Sequence, residues 1–465
     1  MDIKDIQSVY FIGIGGIGMS AIARYFLTQG KLVAGYDRTA TSLTSRLVEE
    51  GAVILYEDNP ALIPEEFRRK ETTLVVYTPA IPSDHRQLCW FLTRGFCVEK
   101  RAQVLGIITR SSKALCVAGT HGKTTTSTML AHLLHQSDVD CNAFLGGISK
   151  NYGTNYILSP ASEYVVIEAD EFDRSFHHLS PYISVITSAD SDHLDIYGTR
   201  EAYLESFRHY TSLIRPGGVL IMHEGLEVVP DLAEGVALYT YSRDEGDFHA
   251  ANVRIGKGEI IFDYVSPLGC IDDVHLGVPV SINIDNGIAA MAIAQLVGMS
   301  MEEIRLAMAS FSGVERRFDF KYKSNTRAFI CDYAHHPSEI RQSALSIRQL
   351  YVGSRITAIF QPHLYSRTGD FYREFAESLS LFDDLILTDI YPAREQPIPG
   401  VTSQLIADHL RQGMSCRLCC KEELSDIVRK RTDIEVLVML GAGDVENYAE
   451  EIVGIMEEKD EKVKE

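Results

Sequence analysis

The sequence predicts an α/β protein of three domains in series, and three observations predict it. At 465 residues the chain is longer than one hydrophobic core organises. Short apolar runs of strand length alternate with helical stretches along most of it, the pattern of open sheets with crossover helices. That pattern restarts near residue 108 and again near residue 313, giving expected domains at 1–107, 108–313 and 314–465.

Composition limits what such a chain does. Hydrophobic residues are 45% and charged residues 23%, enough apolar side chain for several cores, and no run of about 18 apolar residues is present to cross a bilayer. Met1-Asp2-Ile3-Lys4-Asp5 lacks a basic-then-apolar export signal, so a cytoplasmic protein with no membrane insertion is expected. A net charge of −20 argues against a nucleic-acid partner, because a phosphate backbone needs a basic surface. Anionic ligands must then be held by local traps. The nine cysteines are scattered and odd in number, and Cys416 and Cys419 have no second pair at zinc-like spacing, so they read as reduced structural residues.

The first domain opens with a strand at Ile6 to Ile12. The turn Gly13-Ile14-Gly15-Gly16-Ile17-Gly18-Met19-Ser20 follows, then a helix to about Gln29. A second strand, from Lys31, ends at Asp37, 19 residues after Gly18. This is the layout of a mononucleotide-binding β-α-β unit, with backbone N–H groups at a helix N-terminus facing a pyrophosphate. The turn serves NAD, with Asp37 on the ribose, as well as any other nucleoside-diphosphate ligand. Strand-like runs at Thr73 to Tyr77 and Phe96 to Val98 extend a Rossmann-like sheet, and Thr78 to Pro82 reads as a loop on its ligand-binding edge.

The central domain is marked by a buried strand, Ala114 to Ala118, running into Gly119-Thr120-His121-Gly122-Lys123-Thr124-Thr125-Thr126 and a helix to about His135. Gly119 and Gly122 let N–H groups close on an anion, Lys123 adds a point charge and Thr124 a hydroxyl suited to Mg²⁺. Val117 stands where the longer phosphate-loop pattern has glycine, so this is the shorter Gly-Thr-x-Gly-Lys-Thr variant of a nucleoside-triphosphate site. Two further apolar strands end in acids: Glu168, Asp170 and Glu171 after Tyr164 to Ile167, and Asp190, Asp192, His193 and Asp195 after Ser184 to Thr187. Hard oxygen ligands beside a phosphate turn hold Mg²⁺, and one imidazole is compatible with a second ion. Residues 218–280 alternate short β-rich runs with glycine turns and are expected to add an antiparallel edge or a small β subdomain to a mixed, P-loop-like sheet. Asn283 and Asn286 head a helix, where their amides serve an adenine or simply cap the first turn.

Beyond Gly313-Val314-Glu315-Arg316-Arg317-Phe318 the pattern runs strand (Arg327 to Asp332), helix from Pro337, strand (Arg355 to Phe360), helix (Phe371 to Leu381), strand (Asp384 to Leu387), strand (Glu435 to Leu440) and a last helix. This is a second Rossmann-like open sheet. The charged end from Glu457 reads as a solvated helix tail or disorder.

Taken together, the glycine turn at Gly13 to Met19, the phosphate turn at Gly119 to Thr126, Glu168-Ala169-Asp170-Glu171, Asp192-His193-Leu194-Asp195, Gly313 to Phe318 and Asp332-Tyr333-Ala334-His335-His336-Pro337 resemble the motifs of the Mur ligases, in that family's order and across essentially the whole chain. The resemblance implies an ATP-dependent enzyme that joins L-alanine to the carboxylate of UDP-N-acetylmuramate through an acyl phosphate, releasing ADP and phosphate. It implies a monomer or weak homodimer. By the same resemblance, Gly13, Gly15, Gly16, Ile17, Gly18, Met19, Asp37 and Arg367 meet the UDP-linked substrate. Gly119, Thr120, His121, Gly122, Lys123, Thr124, Thr125, Asn283, Asn286, Arg317 and Asp332 meet ATP. Thr124, Glu168 and His193 hold Mg²⁺, two ions in all, and Lys123, Glu168, His193 and His335 serve catalysis. Residue 282 is Ile where the family often has His, and no lysine lies between Lys150 and Lys257 to act as the carbamylated metal ligand of sibling ligases. A nicotinamide-dependent dehydrogenase would leave the second turn without a task, and an ATP-driven binding module would not need the first domain.

Overall fold

The computed structural model describes residues 3–78, 81–190, 194–256, 259–324, 326–393 and 395–464. The chain folds as two compact units: Met1–Asn252 with Phe262–His275 and Asp285–Phe311, and Val253–Ile261 with Leu276–Ile284 and Ser312–Glu465.

The first unit holds two open sheets. In the N-terminal one, β1 (Ser8–Ile12), β2 (Leu32–Tyr36), β3 (Val53–Leu55), β4 (Thr73–Tyr77) and β5 (Cys97–Lys100) pair in parallel in the order β3-β2-β1-β4-β5. Every residue of β1 is buried, as expected for a central parallel strand covered on both faces. Helices α1 (Ile17–Thr28), α2 (Ser42–Glu49), α3 (Arg86–Thr93) and α4 (Arg101–Ser111) make the connections. The chain leaves β1 toward β2 and β3, then crosses to β4 and β5 on the other side, so the ligand-binding crevice of such a sheet lies at the C-terminal end of β1.

In the central sheet β6 (Lys113–Ala118), β7 (Asn142–Ser149), β8 (Thr154–Ile157), β9 (Tyr164–Ala169), β10 (Ile183–Ile186), β11 (Val219–His223) and β12 (Ala237–Tyr241) take the order β12-β11-β10-β6-β9-β7-β8. The expected antiparallel edge exists, but β7 and β8 form it; β11 and β12 extend the opposite edge in parallel. Of the predicted β-rich segment, β13 (His249–Gly256), β14 (Glu259–Ser266) and β15 (Gly269–His275) form a separate three-stranded sheet. Helices α5 (Lys123–His135), α6 (Leu194–Tyr197), α7 (Arg200–Thr211), α8 (Ile282–Leu296) and α9 (Met301–Ser310) complete this region. One hydrophobic core runs under both large sheets, with Tyr25 of α1 edge-on to Phe144 of β7 at 5.7 Å.

The second unit is built on β16 (Asp319–Lys323), β17 (Ala328–Asp332), β18 (Ile356–Phe360), β19 (Asp384–Thr388), β20 (Ser415–Cys419) and β21 (Val436–Leu440), in the order β16-β17-β21-β18-β19-β20. Only β16 is antiparallel to its neighbour. Its helices are α10 (Pro337–Leu350), α11 (Tyr365–Leu379), α12 (Ser403–Ala407), α13 (Leu424–Lys430) and α14 (Ala449–Lys464). Helix α11 starts at Tyr365, six residues before the expected Phe371, which is instead a non-helical point inside it. Among the described residues no helix is long and apolar enough to cross a membrane.

Candidate active site

The turn between β6 and α5 needs both of its glycines. Gly119 has φ +134° and Gly122 φ +81°, and a Cβ would lie 2.2 Å from Thr187 Oγ1 at the first and 2.7 Å from Asn286 Oδ1 at the second. The close approach brings the ends of three elements together. Thr187 and Ser188 follow β10, and the His121 N–H donates to Ser188 Oγ at 2.7 Å. Thr120 Oγ1 donates to the Asp190 carbonyl and pairs with Tyr203 Oη, both at 2.8 Å. His121 Nε2 lies 3.5 Å from Asp190 Oδ2. Thr126 donates to Asn286 Oδ1 at 3.1 Å, which ties α8 to the phosphate-turn helix. Thr125, between Thr124 and Thr126, is half-buried.

Lys123 is held in two directions. Its Nζ donates to the Gly119 carbonyl at 2.7 Å and to Glu171 Oε2 at 2.8 Å. Burial works against the ammonium, but Glu171, Glu168 and Asp170 outweigh it and hold Lys123 above its ordinary value. Glu171 sits in the acid cluster expected to bind metal, yet its role here is counter-ion to Lys123. The pair expected to hold metal is distinct: Thr124 Oγ1, one residue along the helix from Lys123, donates to Glu168 Oε1 at 3.0 Å. The fit to a hard cation is good. Both groups are hard oxygens, the hydroxyl in the first turn of α5 and the carboxylate near the end of β9, and β7 makes room for the carboxylate with Gly146, where a Cβ would lie 2.0 Å from Glu168 Oε2. His193, the third expected metal ligand, lies outside the described residues.

In the N-terminal sheet the glycine turn follows β1 as expected. Gly13 has φ +89°, and its Cα faces Thr78 at the end of β4. Ile17 is exposed, and Met19 is buried in the core. Asp37 does not stand free beside the turn; its Oδ2 accepts the Gly15 N–H at 2.7 Å. Gly16 and Gly18 open α1, and Gly18 abuts the guanidinium of Arg101, a residue that no local pattern marks.

Five expected residues, Asn283, Arg317, Asp332, His335 and Arg367, lie in the second unit. His335 donates from Nδ1 to the Tyr333 carbonyl at 2.9 Å and lies 3.3 Å from Glu339 Oε2. Burial lowers its basicity; Glu339 opposes this, whereas Arg367 and Arg317 reinforce it. Arg317 stacks over the Tyr333 ring at 4.8 Å. Asp332, at the end of β17, accepts the Phe318 N–H at 3.3 Å, and burial pushes its carboxyl up against the pull of Arg317. Asn283 belongs to this unit and donates to the Val278 carbonyl at 3.2 Å, whereas Asn286 reaches the phosphate turn in the first unit.

Comparison with known proteins is consistent along the chain. Residues 8–113 match the model of the Mur ligase family catalytic domain, 117–294 the Mur ligase middle domain and 316–445 the Mur ligase glutamate ligase domain. A protein of Phocaeicola vulgatus named UDP-N-acetylmuramate–L-alanine ligase is 66% identical over 99% of this chain and 100% of its own length. One of the same name from Porphyromonas gingivalis is 53% identical over 95% of this chain and 97% of its own. Among solved structures, the UDP-N-acetylmuramate-alanine ligase of Thermotoga maritima has a TM-score of 0.75 at 26% identity, over 98% of this chain and 99% of that one. The Gly119 to Thr126 turn with its neighbouring acids, the separate glycine turn after β1 and these matches agree, and the chain belongs to the Mur ligase family.

Proposed function

We propose that the protein is an ATP-dependent amide ligase that joins L-alanine to the carboxylate of UDP-N-acetylmuramate, in the cytoplasm and in the supply of peptidoglycan precursor. The observation that carries this reading is the presence, in one compact unit, of two anion-binding turns at the C-terminal ends of two different sheets, one equipped for a triphosphate and one for a diphosphate. The full-length relatives named for this activity support it.

A carboxylate resists attack by an amine because oxide is a poor leaving group, and phosphorylation converts that group into phosphate. The first step brings an anion onto a triphosphate, so charge must be neutralised where it develops. The N–H groups of the Gly119 to Thr125 turn and the Lys123 ammonium supply fixed positive charge. Thr124 and Glu168 would hold Mg²⁺, which adds charge neutralisation when bound, and His193 is assigned to a second ion. Asn286, Asn283, Arg317 and Asp332 are assigned to ATP. Lowered basicity keeps His335 neutral at neutral pH, with Nδ1–H committed to the Tyr333 carbonyl, so its Nε2 is the atom available to accept a proton from the attacking amine. Arg367 is assigned to the anionic substrate or intermediate.

The test is ADP formation with UDP-N-acetylmuramate, scanned across amino acids. Strong stimulation by L-alanine, with ¹⁸O from the muramoyl carboxylate passing into the released phosphate, is expected. ADP formation indifferent to both substrates would overturn the reading.

A further inference from the structure

The segment that follows β9 carries backbone strain next to the counter-ion of Lys123. Asp173 has φ 51° and ψ 27°, and Arg174 φ 54° and ψ 29°, so two successive non-glycine residues are left-handed, a conformation that L side chains adopt reluctantly. Strain of this kind persists where the surroundings over-determine it, and it collects at functional sites. Glu171, two residues before Asp173, holds Lys123 at 2.8 Å with a carboxylate that is 1% exposed.

Tyr197, the last residue of α6, grips this segment at both ends. The Glu171 carbonyl accepts the Arg174 N–H at 3.0 Å, which closes the turn, and also the Tyr197 hydroxyl at 2.5 Å. The guanidinium of Arg174 lies over the ring of the same tyrosine at 4.8 Å. Tyr197 is itself fixed, because it is buried, accepts from Ser206 Oγ at 3.4 Å and meets Tyr203 edge-on at 4.8 Å. Tyr203 Oη in turn pairs with Thr120 Oγ1 of the phosphate turn at 2.8 Å. Burial pushes the Tyr197 hydroxyl up, so it stays a donor at neutral pH. One side chain therefore ties the main chain of the Lys123 counter-ion to the aromatic pair that braces the phosphate turn.

Resting on the assignment of Lys123 to the triphosphate, we infer that Tyr197 is a positioning residue for phosphoryl transfer: by holding the Glu171 main chain in the strained turn it aims the Glu171 carboxylate at Lys123, and so fixes where the ammonium stands. The carbonyl that Tyr197 grips and the carboxylate that meets Lys123 belong to one buried residue, which leaves little slack between them. A small displacement of a charge at a reacting phosphate costs rate, because the transition state is stabilised by groups already in place.

The test uses the full-length protein and steady-state ADP formation with UDP-N-acetylmuramate and L-alanine. Tyr197→Phe keeps the ring and its contact with Tyr203; it should lower kcat about 3- to 10-fold, the range of one hydrogen bond, with the KM for UDP-N-acetylmuramate within about twofold of wild type. In a Glu171→Gln background the same substitution should cost less than about twofold, because the carboxylate that the hydroxyl positions is gone. Asp173→Gly takes the left-handed conformation without strain; alone it should keep kcat within about twofold of wild type, and combined with Tyr197→Phe it should return about half or more of the lost rate. If Tyr197→Phe costs less than about threefold, if its cost is the same with and without the Glu171 carboxylate, or if Asp173→Gly restores none of the loss, Tyr197 only packs in the core and the inference is wrong. A Lys123→Ala variant that turns over at the wild-type rate would instead overturn the assignment of Lys123, and the role of Tyr197 with it.

Discussion

The Lys123 ammonium and the Glu171 carboxylate form an ion pair at 2.8 Å in which the glutamate side chain is 1% exposed and the lysine 13%. A pair this deep is a constraint as much as a source of stability, because removing one member leaves the other as an uncompensated buried charge. Lys123→Ala is therefore expected to abolish turnover and to lower stability by about 3–5 kcal/mol, whereas Lys123→Ala combined with Glu171→Gln regains most of the stability and none of the activity. UDP-N-acetylmuramate binding should survive in the double variant, since its turn belongs to another sheet. Denaturant midpoints and single-turnover ADP formation separate the two effects; equal stability of the single and double variants would show the pair to be energetically idle.

Glu168 depends on a glycine in a different strand. Gly146→Ala would place a methyl group 2.0 Å from Glu168 Oε2, so the carboxylate must leave the position where Thr124 donates to it. Gly146→Ala and Glu168→Gln should both lower kcat about 10²-fold or more, and both should raise the Mg²⁺ concentration needed for half-maximal activity. The glycine variant should regain part of its rate at high Mg²⁺ while the glutamine variant does not. An unchanged Mg²⁺ titration in Gly146→Ala would remove Glu168 from the metal site.

These two sites also show what the sequence discloses and what it hides. Glycine turns after apolar strands are local signals, so Gly13 to Gly18 and Gly119 to Lys123 are legible in the sequence, and so are the acids after β9 and Asp190 after β10. Partnership is not local. Glu171 reads as a metal acid like Glu168 until the fold turns it toward Lys123, 48 residues away. The β7–β8 hairpin hides because Gly146 and Gly147 break the strand pattern, and the reason for Gly146 is the Glu168 carboxylate on β9. Helix α11 begins earlier than the sequence pattern suggests, because Leu364 ahead of it has φ +71°, Gly369 weakens the helical pattern of its first turns and Phe371 is a non-helical point inside it. Arg101 carries no motif; only its contact with Gly18 in the fold reveals it.

Asp460 offers a test of the second unit that is independent of chemistry. Burial alone would raise this carboxyl, but hydrogen bonds from Ser324, Thr326, Tyr322 and Arg327 hold it down to about 2. A carboxyl depressed from an unfolded value near 4 contributes about 2–3 kcal/mol that is fully present above that value and is lost as pH falls through the folded one. The stability gap between wild type and Asp460→Asn should thus be constant above about pH 5 and shrink between about pH 4 and 2. Urea midpoints across that range check it; a gap independent of pH would mean that shape and not charge holds α14 to Thr326.

His335 sits in an environment that sets the protonation state its proposed role in the amide-forming step requires. Burial is the larger influence and lowers its basicity below the ordinary value near 6.5; Glu339 opposes this, and Arg367 and Arg317 add to it. A group of this kind is neutral at pH 7 and gains its proton only as pH falls below its ordinary range. If the neutral Nε2 accepts the amine proton, kcat/KM for L-alanine should fall on the acid side with a midpoint below about 6.5. Removing the Glu339 carboxylate removes an influence that raises His335, so Glu339→Gln should move that midpoint further down; removing Arg367's charge should move it up. His335→Ala should lose the limb altogether and lower kcat about 10²–10⁴-fold, the range for a general base. The KM for UDP-N-acetylmuramate should stay near that of wild type. The pair of opposite displacements is the discriminating measurement, because a merely structural histidine would lose rate on substitution without carrying the pH profile up or down with its neighbours' charge.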